Sequence, residues 1–117
     1  MMTSLALVAM GGATGASLRF LVGQAVAFPM GTLAVNVTGS LAIGALWVLL
    51  EGRAAQLAPL LVTGLLGGFT TFSAFSLDAL RLAEAGRGAA ALAYVAGSVI
   101  LSIMACASGL WIARSLS

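Results

Sequence analysis

The sequence predicts an all-α membrane protein of four transmembrane helices, and three observations predict it. Of its 117 residues, 62% are hydrophobic and only 7% charged, too little charge to cover the surface of a soluble domain of this size. The apolar character runs along the whole chain, with a mean hydropathy of +1.16. A signal peptide or single anchor would account for one such stretch only, and Met1-Met2-Thr3-Ser4 lacks the basic start of a secretory signal. Finally, the charged residues divide the chain into pieces of about 20 residues, the length that crosses a bilayer. Residues 1–117 are therefore expected to form a single four-helix transmembrane domain with the lipid bilayer as its solvent.

The first span is expected from about Thr3 to Ala25, with Arg19 inside it. Phe28-Pro29-Met30-Gly31 reads as a short turn, punctuated by Pro and Gly. The second span covers roughly Gly31 to Leu50 and stops at Glu51-Gly52-Arg53. The third begins near Leu57, accommodates Pro59 in its first turn and continues to about Leu82. Glu84-Ala85-Gly86-Arg87-Gly88 is the next loop, and the fourth span runs from Gly88 to about Ala113, ending at Arg114.

The charge inventory excludes several functions. Arg19, Arg53, Arg81, Arg87 and Arg114 form no clustered basic face, so no nucleic-acid partner is expected. Cys106 is the only cysteine, which excludes a disulfide framework or thiolate cluster within the chain. Without histidine there is no imidazole metal site, Ser/His nucleophile or His proton relay. The arginines divide almost evenly: Arg53 and Arg114 fall on one side, Arg81 and Arg87 on the other, with Arg19 nearer the latter. So small a positive-inside bias is compatible with insertion in both orientations and a two-fold antiparallel dimer, or with one orientation set by weaker cues.

Small residues recur at helical spacing, as in Gly11 with Gly15, Gly12 with Ala16, Ser40 with Gly44 and Gly64 with Gly68. Such pairs let helix backbones approach closely in lipid. Polar residues follow the same spacing. Thr32, Asn36 and Ser40 fall along one face of the second span, and Tyr94, Ser98 and Ser102 along one face of the fourth. No carboxylate is expected in the central part of any span, so a lumen of hydroxyl and amide donors suits an anion better than a cation. Interhelical hydrogen bonding is the alternative.

The densest polar segment is Gly67-Gly68-Phe69-Thr70-Thr71-Phe72-Ser73-Ala74-Phe75-Ser76, in the middle of the third span. Gly-Gly followed by Thr-Thr lowers helix propensity there. A break would free backbone carbonyls at membrane depth, which is tolerated only where protein, water or an ion satisfies them. The alternative is a bent, continuous helix whose Ser and Thr bond back to the preceding turn. Phe69, Phe72 and Phe75 recur every third residue and would lie broadly on one side. Ring edges are positive, so edge-on rings stabilise an anion without holding it as a fixed charge would.

Together these residues resemble the Fluc (CrcB) family of bacterial fluoride channels. The resemblance spans nearly the whole chain: Gly11-Gly12, Gly15-Ala16 and Arg19 in the first span, Gly31-Thr32-Leu33, Val35-Asn36 and Gly39 in the second, and Gly67 through Ser76 in the third. It implies a dual-topology antiparallel homodimer in the bacterial cytoplasmic membrane, with the third helix broken and two pores that let fluoride leave the cell passively. It implies no enzyme activity. Phe72 and Phe75 would present ring edges to fluoride, and Asn36 would be the pore amide donor. Thr71 and Ser73 within the motif, and Tyr94, Ser98 and Ser102 on the fourth helix, would complete the polar path. The carbonyls of Gly67 and Thr70 would hold a structural sodium ion (Na+) at the dimer axis, and Arg19 would raise the anion concentration in a vestibule. Asp78 stands where family members often carry Glu.

Two other architectures fit the sequence less well. A small proton-coupled multidrug exporter requires a carboxylate in the membrane, usually in the first span, and that span holds Arg19 and no acid. A structural subunit would explain the small-residue pairs but not the aligned hydroxyls.

Overall fold

A computed structural model describes residues 1–117. Helix α1 runs Met2–Ala25 and α2 runs Met30–Leu50. A 3-10 turn at Ala55–Leu57 leads into a π-helix, π1, at Pro59–Leu66, which flows into α3 at Gly67–Phe69. Helix α4 spans Ser73–Glu84 and α5 spans Gly88–Leu116. By length and composition four stretches suffice to cross a membrane: Met2–Ala25, Met30–Leu50, Ala55–Glu84 and Gly88–Leu116. The four expected spans are therefore present, displaced at their ends by a few residues. Long, uninterrupted apolar periods make helices legible in this way, whereas their ends depend on loop geometry.

Helix α1 packs on π1 and α3, and α2 packs on α5. Missing side chains make both pairings possible. A Cβ on Gly15 would collide with the Leu65 carbonyl oxygen and come within 2.7 Å of the Phe69 nitrogen. One on Gly68 would meet the Gly12 oxygen at 2.6 Å. On the other side of the bundle, Gly44 lies against the Cys106 carbonyl and Gly109 against that of Leu41. Lipid tails are as apolar as leucine, so close backbone approach and dispersion, rather than apolar burial, bring these helices together. Consistently, most large apolar side chains face outward, among them Trp47, Leu92, Ile103 and Trp111. A small core of Phe75, Leu82, Ala91 and Tyr94 joins α4 to α5.

The third span leaves the helix at Thr70, Thr71 and Phe72. Thr70 is extended, with φ −90° and ψ 160°. The interruption was expected around Gly-Gly-Phe-Thr-Thr, but the two glycines are not where it occurs. Gly67 and Gly68 remain helical, and Gly68 serves close packing on α1. The backbone instead departs where Asn36 takes both polar groups of the Thr71 residue: its N–H donates to Asn36 Oδ1 at 2.8 Å, and its carbonyl accepts from Asn36 Nδ2 at 2.9 Å. Outside the break the expected back-bonding does occur, with Thr70 Oγ1 donating to the Leu66 carbonyl and Ser76 Oγ to that of Phe72.

The interruption also corrects the placement of the aromatic rings. Helical phase is reset at Thr70–Phe72, so Phe69 no longer shares a side with Phe72 and Phe75, which line one groove. Phe69 packs against Gly39 of α2. Phe72 is 77% exposed, and Phe75 is 7% exposed.

Candidate functional site

The interruption opens a groove of about 490 Å³ between α2, the third span and α5. Asn36 and Ser40 line it from α2; Gly67, Thr70, Thr71, Phe72 and Phe75 from the third span; Ser98 and Ser102 from α5. Every one of these side chains is uncharged. The α-helical spacing read from the sequence is what points Asn36 and Ser40, and separately Ser98 and Ser102, into one cleft.

Asn36 organises the backbone beside the groove. In an unbroken helix the Thr71 N–H would bond the Gly67 carbonyl, but it is turned to Asn36 instead. The Gly67 carbonyl thus loses its helical donor, and the Thr70 carbonyl accepts no hydrogen bond from the chain. Both residues line the groove. On the far side of the break, Thr71 Oγ1 accepts from the Ala74 N–H at 3.1 Å and satisfies one first-turn donor of α4. It also shares a 3.3 Å contact with Ser73 Oγ, which lies outside the groove.

The aromatic residues form a short ladder. The Phe72 and Phe75 centroids are 5.5 Å apart at 55°, and those of Phe75 and Tyr94 are 5.4 Å apart at 44°. Tilted geometry of this kind turns the edge of one ring toward the face of the next. Ser98 is buried beside them, and its Oγ has no hydrogen-bond partner within the chain. A buried hydroxyl without a partner is costly and uncommon, and here it borders the groove.

Arg19 is not a free surface cation. Its Nε donates to the Gly68 carbonyl at 3.0 Å, tying α1 to the third span just before the interruption. The same side chain lines a second cavity of about 260 Å³ with Gln24, Thr32 and Thr71.

The groove itself carries no fixed negative charge, as expected, but a carboxylate lies close beside it. Asp78 is 8% exposed and sits between helices. Its Oδ2 accepts from Thr32 Oγ1 at 2.7 Å and from the Tyr94 hydroxyl at 3.4 Å. Thr32 and Tyr94, the outermost members of the two polar lines, thus converge on a carboxylate and lie outside the larger groove. The signal was present: Phe75, Asp78 and Leu82 follow i, i+3, i+7 spacing, which places the acid on the buried face of α4.

A family model described as CrcB-like protein, Camphor Resistance (CrcB), matches residues 6–110. The chain belongs to the CrcB family. Among its CrcB-family relatives is a protein of Paracoccus denitrificans described as fluoride-specific ion channel FluC, 53% identical over 115 residues, 93% of each chain. A relative of the same description from Rhizobium etli is 52% identical, covering 95% of this chain and 96% of its own. Another from a Chelativorans species is 52% identical, covering 98% and 99%. Four apolar spans in a CrcB-family chain make this a multi-pass protein of the bacterial cytoplasmic membrane. The broken third span and the groove beside it are the features that this membership has to explain.

Proposed function

We propose that the chain is a fluoride-selective channel that exports fluoride passively across the cytoplasmic membrane, and that it is not an enzyme. The observation that carries the reading is the groove itself. Uncharged donors and two phenylalanine rings converge there at the interrupted span, with Ser98 Oγ left unpartnered. The description of the FluC relatives as fluoride-specific ion channels supports the same reading.

Fluoride holds its water tightly, and an unpaired ion in a low-dielectric medium faces a cost of tens of kcal/mol. Ser98 and Ser102 offer hydroxyl protons along one wall, and Asn36 retains a second amide N–H after bonding Thr71. Phe72 and Phe75, in the same groove, would offer ring edges to the ion. Hydration is replaced in steps, none tight enough to prevent exit, as conduction requires. Thr71, Ser73 and Tyr94 serve this path less directly, Tyr94 by supporting the Phe75 ring. Arg19 has two roles, attracting anions to the smaller cavity and bracing the third span.

The groove is not enclosed by a single chain and is completed by a second copy in the opposite orientation. The functional unit is a dual-topology homodimer with two pores, each protomer a single four-helix domain. The Gly67 and Thr70 carbonyls, freed by the departure from helical bonding, suit a hard monovalent cation. No cluster of Asp, Glu, His or Cys competes as a metal site. A sodium ion held by these carbonyls from both copies would neutralise their partial negative charge and add positive potential beside both pores.

The test is fluoride efflux from liposomes containing only this protein, read with a fluoride electrode. Efflux well above that of empty vesicles is expected, with little chloride flux from the same preparation. Equal efflux from protein-containing and empty vesicles refutes the channel.

A further inference from the structure

Asp78 poses a problem that the proposed pathway does not solve. An anion beside Phe75 lies close to a carboxylate, since the tyrosine next to that ring, Tyr94, donates its hydroxyl to Asp78 Oδ2 at 3.4 Å. Phe75, which lines the groove, stacks on that same tyrosine. The Thr32 and Tyr94 hydroxyls disperse the negative charge of Asp78 but cannot neutralise it.

The only cation paired with it is Arg81. Its Nη1 lies 3.8 Å from Asp78 Oδ1, one helical turn away on α4. The side chain is 56% exposed, so the guanidinium is not enclosed in the bundle. It does not swing freely. The guanidinium carbon stands 4.1 Å above the centre of the Phe28 ring, in the turn between α1 and α2. Phe28 thus holds one face of the cation while Asp78 attracts it from below. The other arginines form no salt bridge with Asp78.

We infer that Arg81 is a positioning residue for anion passage: held on Phe28, it offsets the field that Asp78 exerts on the groove beside Phe75. The inference rests on the channel reading and adds a residue outside the Gly67–Ser76 segment and the two polar lines. Two properties follow from its chemistry. Removing the cation exposes an uncompensated carboxylate to every entering anion, so flux falls. Removing both charges leaves no net field from this pair, so flux recovers.

The experiment measures fluoride efflux from liposomes at low and high ionic strength, for wild type, Arg81→Lys, Arg81→Gln and the double variant Asp78→Asn with Arg81→Gln. Asn at position 78 keeps an oxygen to accept from Thr32 and Tyr94. At low salt, Arg81→Gln is expected to conduct roughly tenfold less than wild type, the lower end of what electrostatic steering supplies. The deficit shrinks as salt rises and screening shortens. Arg81→Lys keeps most of the flux, and the double variant conducts near the wild-type rate. A strut that only braced Phe28 would leave the double variant as impaired as Arg81→Gln, and that result overturns the inference. So does wild-type flux in Arg81→Gln at low salt. A wild type that does not conduct sinks the channel reading itself, a different failure from either.

Discussion

Asn36→Ala is the perturbation that isolates how the third span is held open. The side chain makes two hydrogen bonds to one residue, 2.8 Å to the Thr71 N–H and 2.9 Å to its carbonyl. Alanine strands a donor and an acceptor at membrane depth. Each unsatisfied group costs about 1–3 kcal/mol, while measured interhelical hydrogen bonds in membranes average about 0.6 kcal/mol because the loosened chain finds other partners. Two groups losing their partners together, with the Gly67 carbonyl available to recapture only the N–H, point to about 2–4 kcal/mol. The assay is amide hydrogen exchange at Thr71 in nanodiscs. A loss of that size corresponds to roughly 30- to 700-fold faster exchange, at 1.4 kcal/mol per tenfold. Asn36→Asp sharpens the test, because it keeps the acceptor for the Thr71 N–H and loses the donor to the carbonyl. Its amide should retain more protection than that of the alanine variant. Unchanged Thr71 exchange in Asn36→Ala would mean that the interruption is intrinsic to Thr-Thr and owes nothing to α2.

Other outcomes follow from the same geometry. Phe72→Ala or Phe75→Ala should reduce fluoride efflux severely while the protein still elutes as the wild type does, and normal flux in either would remove the ring-edge role from that residue. Gly15→Ala drives a methyl into the Leu65 carbonyl, so it should destabilise the α1 packing by about 3 kcal/mol, the upper range for overpacking. Gly97→Ala, which meets nothing within 4 Å, should leave thermal stability in detergent unchanged, and equal effects from the two would discount close backbone approach. A cysteine at exposed Gln56, in a Cys106→Ser background, should be labelled from both faces of the membrane; labelling from one face alone rules out dual topology.

How much of this was legible in the residues differs from one feature to the next. The spans were, because a stretch of about 20 apolar residues has few other stable fates in water or lipid. The locality of the interruption was also legible, since Gly-Gly-Phe-Thr-Thr is a poor helix wherever it falls. The lines from Asn36 to Ser40 and from Ser98 to Ser102 were legible because 3.6-residue periodicity holds inside an unbroken helix. The same periodicity misplaced Phe69 relative to Phe72 and Phe75, since it counts through a break that resets the phase.

What the sequence by itself determined, then, was which residues enter the bilayer, where the third span is weakest and which polar groups share a helical face. Only the tertiary structure decided partners. Asn36 could have met a neighbouring hydroxyl but takes the Thr71 backbone; Arg19 could have faced water but bonds Gly68; Asp78 could have reached the surface but receives Thr32 and Tyr94. The physical reason is that a helix's own bonds are local and readable from spacing. The rotation and depth of one helix against another are set by a few glycine contacts far apart in sequence, and a shift of one residue would give each polar group a different neighbour.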